Sequence, residues 1–163
     1  MLINFKEGNI LEASTQVVVN TVNCEGFMGK GFALQFKKKY PEMFKEYRHK
    51  CEEGKIAIGQ LHLYKGSPRY WILNFPTKNH WRNKSKLEYI EKGLVEFKTR
   101  YVEWGITSIA FPRLGCQLGG LDWNQVEPLM EKYLAELPGV RIEIFSHSSN
   151  CETARKKACL VRN

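Results

Sequence analysis

Apolar positions come in short runs whose period changes along the chain. Leu2–Lys6 alternates, with Ile3 and Phe5 on one face and Asn4 and Lys6 on the other, which predicts a strand. Val17–Asn20 opens on three consecutive valines and predicts a buried strand. Over Lys30–Lys39 the spacing becomes helical, with Phe32, Ala33 and Phe36 inward and Lys37, Lys38 and Lys39 outward as a solvated face. A second helix begins at Pro41, a residue suited to a first helical turn, passes Phe44 and Tyr47, and stops near Gly54. Leu61–Tyr64 and Tyr70–Asn74 read as strands around the turn Lys65-Gly66-Ser67-Pro68-Arg69. Lys86–Trp104 reads as a long helix with Leu87, Ile90, Leu94, Val95 and Phe97 near helical spacing, ended by Gly105. Ser108–Phe111 is a strand, Trp123–Leu137 a helix ended by Pro138-Gly139, and Val140–Phe145 a last strand. This alternation predicts one α/β domain with a mixed sheet between helices. Repeats, linkers and low-complexity segments are not seen.

Two glycine-rich runs stand at strand-to-helix junctions. Asn20-Thr21-Val22-Asn23-Cys24-Glu25-Gly26-Phe27-Met28-Gly29-Lys30-Gly31 follows the valine strand. Leu114-Gly115-Cys116-Gln117-Leu118-Gly119-Gly120-Leu121 follows Ser108–Phe111 and precedes the helix from Trp123. Glycine lets backbone N–H groups approach an anion closely, and a helix N-terminus adds partial positive charge. In sheets of this class ligands sit beyond the carboxyl ends of the strands, so the two loops can meet there and clamp a diphosphate. Neither run is a G-x-x-x-x-G-K-[ST] loop or a dinucleotide fingerprint.

Composition narrows the class. At 163 residues, 43% of them hydrophobic, the chain is long enough for one well-cored domain. Apolar runs are too short to span a bilayer, and the start lacks a basic-then-apolar signal, so the expectation is a cytoplasmic protein without a membrane partner. Cys24, Cys51, Cys116, Cys151 and Cys159 show no C-x-x-C spacing, and His49, His62, His80 and His147 show no ligand spacing, so no metal or redox cofactor is implied. The net charge of +8 favours an anionic partner. Part of that excess comes from residues 150–163, expected to be a basic, flexible tail after a domain spanning 1–149.

The motifs are more specific than the composition. Gly8-Asn9-Ile10-Leu11, Val18-Val19-Asn20-Thr21-Val22-Asn23, Gly26-Phe27-Met28-Gly29-Lys30-Gly31 and Pro112-Arg113-Leu114-Gly115-Cys116 resemble the macrodomain family, whose members bind ADP-ribose. The resemblance covers residues 1 to about 146 and implies a three-layer α/β/α sandwich with a mixed central sheet. Met28–Lys37, Asn74–Arg82 and Leu118–Trp123 are similar to the DarG-type, lysine-dependent branch, which removes ADP-ribose from thymidine bases of single-stranded DNA. That resemblance implies adenine contacts from Asn9 and Ile10 and a ribose and diphosphate wrapped by Asn20, Asn23 and Gly26–Gly31, including Phe27, Met28, Gly29 and Lys30. It implies closure from the other side by Pro112, Leu114, Gly115, Cys116, Gln117, Leu118, Gly119, Gly120 and Leu121, and catalysis by Lys78. It also implies a DarT-type ADP-ribosyltransferase toxin as functional counterpart. Gly119 stands where the protein-directed glycohydrolase carries an Asp, and Gln117 where related loops carry Gly.

A lysine suits the implied reaction. A neutral amine can attack the anomeric carbon of a ribosyl group, and burial or cationic neighbours such as Arg82 would help it lose its proton. His80, Trp81 and Arg82, followed by Lys84 and Lys86, join aromatic and cationic groups as single-strand-binding surfaces do. Packing of Trp81 on the core explains the same residues equally well. Cys24 and Cys116 lack an evident base and are not expected to act as nucleophiles. Three readings stay open: a hydrolase freeing ADP-ribose from DNA, a hydrolase acting on ADP-ribosyl-protein or O-acyl-ADP-ribose, and a non-catalytic ADP-ribose-binding module.

Overall fold

The computed structural model describes residues 3–146, so the expected tail at 150–163 lies outside the described residues. Six strands, β1 (Asn4–Glu7), β2 (Val17–Asn23), β3 (His62–Tyr64), β4 (Trp71–Lys78), β5 (Ser108–Pro112) and β6 (Arg141–Ser146), form one sheet in the order β1-β6-β5-β2-β4-β3. Every pairing is parallel except β3 with β4. The helices are α1 (Gly31–Lys39), α2 (Pro41–Glu52), α3 (Leu87–Arg100) and α4 (Trp123–Leu134).

Two cores lie on the two faces of the sheet. Val18, Val22, Ile72 and Ala110 meet Phe36 of α1 and Met43 and Tyr47 of α2. Val17, Val19, Phe75, Ile109, Phe111 and Ile144 meet Ile90, Leu94 and Phe97 of α3 and Val126, Met130 and Leu134 of α4. Successive side chains in a strand point to opposite faces, so a strand covered on both sides reads as the unbroken valine run seen in β2. The result is the expected α/β/α sandwich.

The pattern located the elements better than their ends. β2 runs to Asn23 and β4 to Lys78, beyond the Asn20 and Asn74 ends that the apolar runs suggest. Pairing of Thr21 with Phe75 and Val22 with Pro76 carries both strands on. Pro76 is tolerated because β3 ends opposite Asn74, which leaves that side of β4 an edge. A single 3-10 turn at Ile10–Glu12, capped by Asn9, was not foreseen. β1 forms as the alternation predicts, with Phe5 opposite Ile144, yet Phe5 is 54% exposed because β1 is the outermost strand.

A polar row crosses this apolar frame. Asn20 and Asn74 are register partners on β2 and β4, and the Asn20 amide donates to Asn74 Oδ1 at 3.0 Å. The Asn74 amide lies 3.0 Å from His62 Nδ1 on β3. Since that amide donates, Nδ1 accepts and the ring proton sits on Nε2, toward Glu46 of α2. Burial depresses the His62 pKa, consistent with a neutral ring.

Gly93 shows how closely α3 sits on the sheet. A Cβ there would overlap the ring of Phe75, which is itself fully buried. Gly93→Ala should therefore destabilise the fold by about 1–3 kcal/mol from overpacking, more than the roughly 1 kcal/mol gained in helix propensity. Urea denaturation checks this, and Phe75→Leu in the same background should recover part of the loss.

Candidate functional site

β2 and β5 are neighbours, yet the chain leaves them toward opposite faces, into α1 after β2 and into α4 after β5. Connections that part in this way leave a crevice at the carboxyl ends of the strands. A cleft of about 720 Å³ lies there, walled by the ends of β2 and β4, the loop of residues 24–30, the first turn of α1 and the loop of residues 113–122.

The first loop is organised by Asn23. The β2–β4 register shifts between Val22 and Asn23, where β4 carries one extra residue, Thr77, and Asn23 comes opposite Lys78. The Asn23 side-chain oxygen accepts from the backbone N–H of Glu25 at 2.9 Å, and its amide donates to the Phe27 carbonyl at 2.7 Å. The Tyr47 hydroxyl donates to the Asn23 carbonyl at 2.7 Å, tying the loop to α2. Asn23 thus lines the cleft while its amide holds its own loop in shape. Met28 packs under the loop, and the Phe27 ring stays outside.

The second loop folds onto itself. Ser85 N–H donates to the Gly119 carbonyl at 3.0 Å, and Leu121 N–H to the Gly115 carbonyl at 2.9 Å. A Cβ on Gly119 would overlap both the Gly115 carbonyl oxygen and Ser85 Oγ, so this conformation has no room for any side chain there. An Asp therefore does not fit this path of the loop. Gln117 lies on the cleft wall at an ordinary negative φ, so its side chain adds no backbone strain. Leu118 reaches across so that its Cδ1 lies 3.3 Å from where a Gly31 Cβ would be, and its carbonyl accepts from Lys78 Nζ at 3.1 Å.

Lys30, Lys78, Arg82 and Arg113 line the cleft, and among the described residues no carboxylate does. The Arg113 guanidinium lies over the Trp123 ring at 4.8 Å, which fixes it at the wall. Burial, and then the Lys30 charge, lower the Lys78 pKa. The like-charge neighbour is thus Lys30, not the Arg82 that sequence proximity suggested. Burial pushes the thiols of Cys24 and Cys116 up to about 11, which suits inert side chains.

Of the anticipated residues, Lys78, Asn23, Phe27, Met28, Gly29, Lys30, Gly31, Pro112, Gly115, Gln117, Leu118, Gly119, Trp81 and Arg82 meet at the cleft. Gly26, Leu114, Cys116, Gly120, Leu121 and His80 stand behind or beside this wall. Asn20 belongs to the buried polar row. Asn9 and Ile10 follow β1 and do not line this cleft; the 3-10 turn they open packs against β5, and the Asn9 side chain accepts from Leu11 N–H at 3.0 Å. The sequence reading passed over Thr21, Val22, Phe32, Ala33, Thr77 and Arg113. The full lengths of β2 and β4 would have located Thr21, Val22 and Thr77. Arg113 stood inside a quoted motif without a role.

Comparison with known proteins agrees with this fold. The macro domain family model matches residues 19–130. A "DNA ADP-ribosyl glycohydrolase" of Thermus aquaticus is 42% identical over 153 residues, covering 91% of this chain and 42% of the relative. The chain thus spans less than half the length of the curated relative it matches. The macrodomain of Mycobacterium tuberculosis DarG superposes with a TM-score of 0.84 at 45% identity, over 88% of this chain and 97% of that one. Thermosipho africanus DarTG in complex with ADP-ribose superposes with a TM-score of 0.81 at 35% identity, over 87% of this chain and 41% of that one.

The Lys78 environment makes a measurable claim. A neighbouring positive charge disfavours the ammonium form, so removing it raises the pKa. An NMR titration of the lysine side chains should find Lys78 losing its proton at lower pH than an exposed lysine. Lys30→Ala should move that midpoint up but not fully back, because burial is the larger cause.

Proposed function

The chain belongs to the macro domain family, and on that premise we propose that it is a hydrolase that frees ADP-ribose from thymidine bases of single-stranded DNA. The observation that supports this reading best is a cleft with two glycine loops and, among the described residues, four cations but no carboxylate, with a pKa-lowered lysine at its end. ADP-ribose carries two negative charges on its diphosphate. Backbone N–H groups of the loops take the phosphate oxygens, with Lys30 and Arg113 as the nearby counter-charges. The distal ribose then lies toward the ends of β2 and β4, with its anomeric carbon near Lys78.

The reaction follows from a neutral amine. Lys78 can donate one N–H to the Leu118 carbonyl and keep its lone pair for the cleft. Nζ attacks the anomeric carbon, the bond from that carbon to the base breaks, and the electron pair leaves on the base, which takes a proton from water. The lysine–sugar adduct loses a proton, and water then replaces the lysine at that carbon. Free ADP-ribose and the amine are restored. No carboxylate is needed to raise the nucleophile, which accords with Gly119. The Thermus aquaticus relative's description and the ADP-ribose bound by the Thermosipho africanus protein support the substrate class. The functional counterpart is a transferase that attaches ADP-ribose to DNA, and the reading sets both in the cytoplasm.

The test is release of ADP-ribose from single-stranded DNA carrying ADP-ribosyl-thymidine. The parent should release it, and Lys78→Ala should lose the rate by about a thousandfold or more while still binding free ADP-ribose in calorimetry. Release by Lys78→Ala at the parent rate would refute the lysine's role. No release by the parent, with ADP-ribose still bound, would leave a binding module.

A further inference from the structure

Two aromatic rings at the mouth of the cleft stay partly in water. Phe27 is 51% exposed and Trp81 is 40% exposed. They come from different parts of the chain, the loop after β2 and the turn after β4. Their centroids are 6.4 Å apart with planes at 63°, so they form an open aromatic corner.

Each ring is held by its own backbone. Asn23 brackets Phe27 through its carbonyl at 2.7 Å and its N–H at 3.4 Å, so the ring must point out of the loop. Beside Trp81, Arg82 N–H donates to His80 Nδ1 at 3.1 Å and Asn83 N–H to the His80 carbonyl at 3.1 Å. His80 Nδ1 therefore accepts, and the proton sits on Nε2, 3.4 Å from Glu25 of the first loop. His80 stacks on Trp81 at 5.8 Å, and the Arg82 guanidinium lies 4.6 Å from the same ring. Glu25 and His80 thus join the two halves of the corner. Rings fixed in place and left wet lose burial energy in the free protein, a cost that a flat apolar ligand recovers.

The surroundings name the ligand. Arg82, Lys84 and Lys86 alternate along the segment leading into α3, all exposed. Glu25 is the acidic side chain paired at the corner. Flat apolar faces beside a row of cations are complementary to unpaired nucleobases on a phosphate backbone.

We propose that Phe27 and Trp81 form a second subsite, which takes an unpaired nucleobase next to the ADP-ribosylated nucleotide. The base stacks on one ring and meets the edge of the other, with the neighbouring phosphates on Arg82, Lys84 and Lys86. This deepens the DNA reading of the cleft and rests on it. It makes the enzyme read the strand around the modified base as well as the ADP-ribose.

A fluorescently labelled, unmodified ten-nucleotide single strand tests this by anisotropy and needs no turnover. The parent should bind it more tightly than the matching duplex. Phe27→Ala and Trp81→Ala should each weaken binding about tenfold, while Phe27→Tyr and Trp81→Phe, which keep a ring, should hold within about threefold of the parent. Equal binding of duplex and single strand, alanine variants that bind like the parent, or a parent that does not bind would each overturn the subsite. Failure of ADP-ribose release leaves this readout standing, so the two readings fall separately.

Discussion

The side chain of Asn23 is the constraint on which the working end of this molecule depends. One amide at the end of β2 satisfies the backbone of the loop that follows, and Tyr47 clamps the same residue to α2. Loop backbone that turns away from a sheet loses its ladder partners and must find others. Here the register shift opposite Asn23 marks the end of the ladder, and the Asn23 side chain supplies the replacement partners. From this point Met28 is directed inward, Phe27 outward, and Lys30 to the cleft wall. Lys78 is the β4 register partner of Asn23, so the lysine and the loop share one origin.

Electrostatics in the cleft pull in two directions. Lys30 and burial make the Lys78 ammonium less stable, whereas an incoming diphosphate makes it more stable. The outcome depends on distance. In the proposed binding mode a phosphate held by loop backbone would lie along the cleft from the lysine, while the sugar covering the lysine would remove its water directly. Desolvation is already the larger cause in the free protein, and a sugar bound in this way would add to it.

The fold was legible because its signals are local. Valine runs, helical spacing and glycine stops are properties of neighbours, and they put every strand and long helix of the described residues in order. The strand ends were less legible because pairing decides them. Thr21–Asn23 and Phe75–Lys78 are strand only because they lie beside each other. In the cleft, Lys78 and both loops were readable through motif resemblance. Arg113 was not, because its position depends on Trp123, ten residues further on and across a turn. Asn23 was located, but its partners Phe27 and Tyr47 are a matter of folding, not of motif.

The path of the second loop closes a route that sequence drift would otherwise find short. Where Gly119 passes the Gly115 carbonyl and Ser85, even a methyl group meets backbone. A carboxylate cannot be introduced there by one replacement on an unchanged scaffold. The turn of residues 115–121 and the position of Ser85 would have to change together, and each step taken alone costs stability. Geometry thus keeps a carboxylate out of this position of the loop.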